Sequence, residues 1–457
     1  MSEVLDVPAV TTVPLGELLT DIRNGLVVEQ EKELPGIPIT RIETISKGTV
    51  DMDRVRYVRD TAGKSLDSFW LRKGDILFSH INSDLHLGKT AIVPSDAPLL
   101  HGMNLLRLRV DSNRLRPKYL HHWLDYCRRT GVFMAIAQHA VNQSSLNQKK
   151  ITSLEVPLRS VGEQDEIVAE LEKQFSRLDE AVANLQRVKA NLKRYKASLL
   201  KSAVEGRLVE TEASIAHREG RSYETGDQLL QRILEERRAK WTGRGAFVAQ
   251  APSFDEPTLI PDGWAVGSLD QLSNVVRGGS PRPAGDPRYF GGPVPWITVG
   301  SVTCDESDYL RQASSGLTEE GKERSRFIEE HTLLLTNSGA TLGVPKISLI
   351  SGCINDGVAA LLDVEYPLKQ YLVHFLRTKT DSLRQVNQGA AQPNLNTTII
   401  KAMPVPLPPL AEQPRILAEV DRHLSIVREV EAEVDNNLKR AQALRQVKLA
   451  EAFSSRQ

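Results

Sequence analysis

Cysteine is scarce. Cys127, Cys304 and Cys353 stand far apart and never in C-x-x-C spacing, which excludes a disulfide framework and a cysteine zinc site. All three are expected as small buried apolar side chains. Long hydrophobic runs are also missing, since none approaches the roughly 20 residues that cross a bilayer. The opening Met1-Ser2-Glu3-Val4-Leu5-Asp6 is acidic and has no apolar core of a secretory signal, so the expectation is a cytoplasmic protein without membrane association. A charge excess of either sign is absent, with 58 basic and 58 acidic residues. Self-sufficient DNA binders usually show basic excess. Any nucleic-acid role must therefore rest on local charge or on partners, and the isolated chain should bind DNA weakly.

Catalytic signatures are missing too. Gly63-Lys64-Ser65 and Gly88-Lys89-Thr90 end like phosphate-binding loops, but Val58 and Ser83 occupy the place of the required first glycine. Neither an N-P-P-Y or D-P-P-Y motif nor a glycine-rich methyl-donor loop occurs. Glu320-Gly321-Lys322 has the tail of a nuclease E-x-K without a convincing upstream acid. His121-His122 falls in an expected helix, where adjacent side chains diverge too far to share a metal. No catalytic or metal-binding residue is expected in this chain.

What is present is a duplication. The chain has 457 residues, 40% hydrophobic and 25% charged, a globular composition too long for one core. Leu146-Asn147 recurs as Leu395-Asn396, and Val156-Pro157-Leu158 as Val405-Pro406-Leu407. Glu163-Gln164 recurs as Glu412-Gln413, and Ala203 and Arg207 as Ala452 and Arg456. Upstream the likeness is looser. Pro38 to Ile42 matches Pro295 to Val299, and Asp75 to Ser79 matches Thr332 to Thr336. Leu87-Gly88 matches Leu342-Gly343, and His101 to Asn104 matches Gly352 to Asn355. A repeat this long is a duplicated domain. Each half reads as a globular segment of short apolar runs broken by Gly, Pro, Asn and Ser, followed by one long helix. A helix is expected over Lys118 to Cys127, with a counterpart over Lys369 to Thr378.

The long helices carry apolar side chains at heptad spacing: Leu171, Leu178, Leu185, Leu192 and Leu199 in the first, Val420, Val427, Val434 and Ala441 in the second. That spacing predicts coiled-coil packing. Acids from Glu163 to Glu180 lead the first helix, and bases from Arg187 to Arg207 close it. The second repeats that polarity, with acids up to Asp435 and then Lys439, Arg440, Arg445 and Lys448. Antiparallel pairing sets each acidic half against a basic half, so the helices are expected to run antiparallel. Two diverged heads on a stiff spacer, related by a pseudo-twofold axis, suit a linear ligand bearing two different marks. Duplex DNA with a bipartite site is such a ligand.

Between the halves, a short helix is expected from Thr225 to Trp241, with Glu235-Glu236-Arg237-Arg238 as a solvated face and a loop from Gly243 to Pro257. Base readout needs Arg, Lys, Asn, Gln, Ser or Thr at base edges. The loops offer Arg41, Ser79, His80, Asn82, Ser83 and Lys89 in the first half, and Arg277, Ser280, Arg282, Thr298, Asn337, Ser338 and Thr341 in the second. Arg277-Gly278-Gly279-Ser280-Pro281-Arg282 stands out, because its glycines permit close backbone approach between two arginines. Gly389-Ala390-Ala391-Gln392 and Ala140-Val141-Asn142-Gln143 read as structural.

The order of these pieces resembles a known family. Pro261-Asp262-Gly263-Trp264, Gly278 to Pro281, Pro295-Trp296-Ile297, Leu333 to Gly339 and Asn394-Leu395-Asn396 resemble target-recognition domains of type I restriction-modification specificity subunits. Pro406-Leu407-Pro408-Pro409-Leu410-Ala411-Glu412-Gln413 at a helix start is the most distinctive. The first half lacks the Pro-Asp-Gly-Trp opening and carries a weakened proline-rich helix start, Pro157 to Gln164. The resemblance implies an α+β protein with two similar α/β target-recognition domains, separated by two long antiparallel helices forming a coiled coil. The domain boundaries expected on it are 1–160, a long helix 161–208, a linker 209–260, a second recognition domain 261–408 and a C-terminal long helix 409–457. It also implies double-stranded DNA, two methyltransferase subunits and two restriction-motor subunits as partners. S-adenosylmethionine, ATP and Mg²⁺ would belong to those partners and not to this chain.

Overall fold

A computed structural model describes residues 11–454, apart from 62, 97, 142, 254–258 and 387–394. The chain divides into two compact units, residues 1–187 with 434–457 and residues 188–433. That division cuts across both long helices, Val161–Val204 and Gln413–Phe453.

In the first unit, β1 (Leu19–Asn24), β2 (Ile76–Phe78), β3 (Thr90–Ile92) and β4 (Leu106–Val110) make a sheet of order β1-β4-β2-β3. All its neighbours are antiparallel. Alternation decides which side chain faces which layer. Ile76 and Phe78 join one core with Leu106 and Leu108, and Leu77 points into a second with Ile45, Ala91 and Leu105. Helix Pro117–Arg129 covers the first core through Tyr119, Leu120, Trp123, Leu124 and Cys127. Proline at its first turn costs no hydrogen bond. Val168, Leu171 and Phe175 of the first long helix enter the same core, and so do Leu449 and Phe453 from the end of the second. Arg445 Nη1 lies 2.8 Å from Asp179 Oδ1.

The second unit contains β5 (Asn274–Arg277), β6 (Phe290–Ile297), β7 (Tyr309–Leu310), β8 (Ser315–Leu317), β9 (Arg326–Ile328), β10 (Leu333–Thr336), β11 (Pro345–Ser348), β12 (Gly352–Ile354) and β13 (Val358–Leu362). One sheet has the order β5-β13-β10-β11-β7, and another β8-β6-β12-β9. Leu333 and Leu335 face one core and Leu334 the other, as in the first unit. Helix Leu368–Val386 buries Tyr371, Leu372, Phe375 and Leu376 and runs well past the expected end at Thr378. Its Tyr371 hydroxyl donates to Pro406 O at 2.7 Å, as Tyr119 donates to Pro157 O at 2.6 Å in the first unit.

The long helices run antiparallel within this unit. Leu200, Ala203 and Val204 share a core with Ile416, Leu417 and Val420, while Tyr195 Oη meets His423 Nδ1 at 2.6 Å and Lys196 pairs with Glu431 at 2.7 Å. Late residues of one helix thus meet early residues of the other. In each unit the ion pair joins an acidic half to a basic half, Asp179 to Arg445 and Glu431 to Lys196. Along the apolar stripes Leu171, Leu199, Val420, Val427 and Val434 are buried, and Leu178, Leu185, Leu192 and Ala441 half-buried.

Three local expectations need correction. Cys304 is exposed, not buried, because it lies in the polar Thr303-Cys304-Asp305-Glu306 stretch at the end of a one-turn helix. The linker contains an unforeseen helix, Glu212–Glu219, before helix Gly226–Ala239. Within the latter, Arg237 does not sit on a solvated face. It donates to Asp270 O, and its guanidinium lies 5.3 Å from the Phe247 ring centroid. Asp270 and Phe247 are too far from Arg237 in sequence for helical periodicity to reveal either.

The Pro-Leu-Ala-Glu-Gln start of the second long helix is an architectural knot. Glu412 is fully buried. It accepts from Trp264 Nε1 at 3.1 Å and from Glu212 N at 2.9 Å, so it joins the Pro-Asp-Gly-Trp opening to the start of the linker helix. Burial pushes its carboxyl up. Glu163 in the first half has no tryptophan to hold and only caps Ser160, through Ser160 N at 3.0 Å. The two departures of the first half are one: without the tryptophan, the buried glutamate loses its task.

Candidate nucleic-acid interface

Three strand ends converge at one edge of the second unit. Arg277 at the end of β5 pairs with Ala359 of β13, and Thr336 at the end of β10 pairs with Val358. The turn Asn355-Asp356-Gly357, leading into β13, sits among them. Gly278 N donates to Val358 O at 3.0 Å, Gly279 N to Ile354 O at 3.1 Å, Asn337 N to Gly357 O at 2.9 Å and Asn355 N to Ile297 O at 3.0 Å. Most of the expected contact residues of this half are gathered here.

Asp356 organises the arginine loop. Arg277 Nε donates to its carbonyl at 2.8 Å, and Ser280 Oγ to its Oδ1 at 2.5 Å. Arg282 Nη2 lies 3.9 Å from Oδ2 and is 73% exposed. Asp356 thus holds Arg277 through its backbone carbonyl and Ser280 through its carboxylate, and leaves Arg282 exposed beside that carboxylate. Gly278 has a different task from the one expected. A Cβ there would stand 2.1 Å from Asn355 O and 2.4 Å from Ile354 O, so the close approach is to the protein's own backbone. Thr298 is occupied as the N-cap of Val299–Val302, accepting from Ser301 N at 3.4 Å. Thr341 is exposed and Ser338 half-buried. Asn337 is fully buried, and its amide atoms have no partner among the described residues.

Sequence reasoning missed a basic rim beside this loop. Arg326 Nε donates to Arg277 O at 2.8 Å, and Ser325 Oγ to Gly279 O at 2.7 Å. Arg324 lies 4.8 Å from the Tyr289 ring centroid, and Lys322 Nζ 4.5 Å from that of the exposed Phe327. Such cations over aromatic faces are held in defined positions. The alternation Lys322-Glu323-Arg324-Ser325-Arg326 was the available signal.

The first unit repeats this framework with other side chains. Leu26 N donates to His101 O at 2.8 Å, as Gly279 N does to Ile354 O. A Cβ on Gly25 would stand 1.8 Å from Gly102 O. Asn24 pairs with Leu106 where Arg277 pairs with Ala359. Gly25 therefore matches Gly278, and Asn24 stands where Arg277 does. The sequence match of His101 to Asn104 with Gly352 to Asn355 is out of register, since His101 occupies the place of Ile354. Register follows the parallel pairing of Ile39 with Leu100, equivalent to Trp296 with Cys353, and not residue identity. After Gly25 the chain reads Leu26-Val27-Val28-Glu29, so the first unit has no arginine loop here.

The expected contact residues of this half divide between several tasks. Ser79 is fully buried and accepts from Asn82 Nδ2 at 3.0 Å, and Asn82 Oδ1 accepts from Ser83 N at 2.9 Å. That is a self-satisfied turn, with Ser83 exposed. Arg41 is half-buried and lies 3.4 Å from Glu43. Lys89 lines a different cavity, of about 470 Å³, with His121, Asp125, Arg128 and Arg445. Its Nζ donates to Ser46 O at 2.8 Å, and burial followed by repulsion from Arg128 lowers its pKa. His80 is buried, which lowers its pKa to about 4. Residue 142 and the stretch 389–392 lie outside the described residues. Among the described residues no cluster of His, Cys, Asp and Glu could hold a metal ion, and no helix is long and apolar enough to cross a membrane.

The chain is similar to known proteins. Residues 261–440 match the family "Type I restriction modification DNA specificity domain". A putative type I restriction enzyme MjaX specificity subunit from Methanocaldococcus jannaschii is 28% identical over 437 residues, covering 93% of this chain and 90% of that one. The EcoBI specificity subunit of Escherichia coli is 23% identical over 453 residues, covering 95% and 84%. In fold, the chain is similar to one from a solved structure of complex assembly and conformational transition of the type I R-M system. That match has a TM-score of 0.62 and 18% identity, and it covers 98% of both chains. With a duplicated head, antiparallel helix pairing within a unit and these relatives in agreement, residues 261–440 match a type I restriction modification DNA specificity domain, and the chain as a whole is similar to type I restriction enzyme specificity subunits.

Proposed function

We propose that each unit reads one half of a bipartite, asymmetric DNA target, while the paired long helices set the spacing and dock the methyltransferase subunits. The observation that carries this reading is one strand-end framework built twice with unlike side chains, Asn24 in one unit and Arg277 in the other. A shared framework presents a reading surface in the same way, and unlike side chains make the two half-sites differ. The subunit is non-catalytic in this reading. Two methyltransferase subunits and two restriction-motor subunits join it on double-stranded DNA in the cytoplasm. They carry S-adenosylmethionine, ATP and Mg²⁺.

Replacing Arg277 and Arg282 together by alanine tests the assignment. Each well-placed arginine contributes about 1–3 kcal/mol, so affinity should fall at least tenfold for one half-site. Assembly with the methyltransferase subunits should be unchanged. Binding by the co-assembled complex to duplexes with either half-site scrambled is the measurement. Equal loss at both half-sites refutes the two-reader arrangement.

A further inference from the structure

β2 and β10 end in the same way. Ser79 N donates to Lys89 O and Gly88 N to Ser79 O, both at 2.8 Å, as Thr336 N donates to Val344 O at 3.0 Å and Gly343 N to Thr336 O at 2.7 Å. The next residue is His80 in one unit and Asn337 in the other. Each accepts, at its carbonyl, the amide of the leucine in the repeated Leu-Asn pair, Leu146 N at 2.8 Å and Leu395 N at 2.7 Å. His80 and Asn337 therefore occupy a single position of the duplicated framework, although the residues are chemically different.

Both side chains are buried, 8% and 0% exposed. Both carry polar atoms without a partner among the described residues, Nδ1 of His80 and both amide atoms of Asn337. A buried polar atom without a partner has lost its water and gained nothing in exchange. Finding this twice at one equivalent position points to a ligand that supplies the missing bonds. In the first unit the position opens to solvent. His80 lines a cavity of about 360 Å³ with Asn24, Ser145, Asn147 and Gln148, and Asn24 is the residue equivalent to Arg277. In the second unit Asn337 is followed along the chain by the half-buried Ser338 and the exposed residues Gly339, Ala340 and Thr341.

We infer that this position determines specificity in each unit, with the side chains of His80 and Asn337 hydrogen-bonding to base edges of their respective half-sites. The inference rests on the two-half reading above and names one reading side chain for each half. Asn337 offers an N–H donor beside a carbonyl acceptor, the pattern that matches N6 and N7 of adenine. His80, kept uncharged at neutral pH by its burial, offers one N–H and one lone pair. It is suited to a base edge and not to a phosphate.

The test maps methylated targets of the full chain co-assembled with its methyltransferase subunits, comparing the wild type with His80→Asn and Asn337→His. Each swap should change the preferred base at one position of one half-site by about tenfold or more, the discrimination of one base-edge pair. The other half-site should be unaffected. An unchanged target sequence with normal methylation overturns the inference, and so does a loss shared by both half-sites. If a swap impairs folding, judged by thermal denaturation, His80→Gln and Asn337→Gln are held to the same criteria. The Arg277 and Arg282 double variant runs in parallel. If it affects one half-site while the swaps leave base preference intact, the position assignment alone falls. If it affects both half-sites, the two-half reading falls with it.

Discussion

Replacing Glu412 by alanine is expected to destabilise the second unit by about 3–5 kcal/mol, the range for removing one partner from a buried charged network. Its two carboxylate oxygens accept from Trp264 Nε1 and from Glu212 N. Alanine leaves both donors buried without an acceptor. The damage should spread, because Glu212 is itself buried and anchors Arg221 at 2.6 Å and Arg415 at 2.7 Å. Urea denaturation of the full chain measures the effect, and a loss below about 1 kcal/mol would deny Glu412 this role. Glu163→Ala is the natural control. Glu163 only caps its helix start, so the first unit should barely respond.

The second large effect is expected at a glycine. Gly278→Ala places a methyl group 2.1 Å from Asn355 O and 2.4 Å from Ile354 O. Both obstacles are backbone and cannot rotate away. The turn at Asn355 to Gly357 must shift, and Asp356 then releases Arg277 and Ser280. A strain of about 3 kcal/mol is enough for about a 100-fold loss of recognition at one half-site. Gly25→Ala should do the same to the other half-site, since its Cβ meets Gly102 O at 1.8 Å. Gly279→Ala is the internal standard, with nearest atoms at 3.8 Å, and should be tolerated. Half-site binding by the assembled complex distinguishes them. Equal behaviour of Gly278→Ala and Gly279→Ala would show that close backbone approach is not what the loop requires.

These outcomes separate two meanings of a repeated motif. Glu412 and Gly278 belong to pieces that the sequence marks as distinctive, and both act on the protein's own framework. The side chains that differ between the units, Asn24 against Arg277 and His80 against Asn337, stand on that framework at matching positions. On the proposed reading, these are positions where the two unlike marks of a linear ligand would be distinguished.

Sequence by itself determined what depends on near neighbours. The heptad leucines and valines declared two long helices, because residues three, four and seven apart share a helix face. The opposed charge gradients predicted antiparallel pairing of acidic with basic halves, and the structure supplies the partners, Asp179 with Arg445 and Lys196 with Glu431. Tertiary structure alone decided what depends on residues distant in the chain. Strand pairing at Leu100 in one unit and at Cys353 in the other makes His101 the equivalent of Ile354, against the sequence match. Packing turned Lys89 into a separate cavity and drew Arg237 onto Asp270. It also gave Glu412 its two donors from remote segments. A helical stripe is written in local periodicity, but the partner of a buried polar group is set by which strands and helices come to lie beside it.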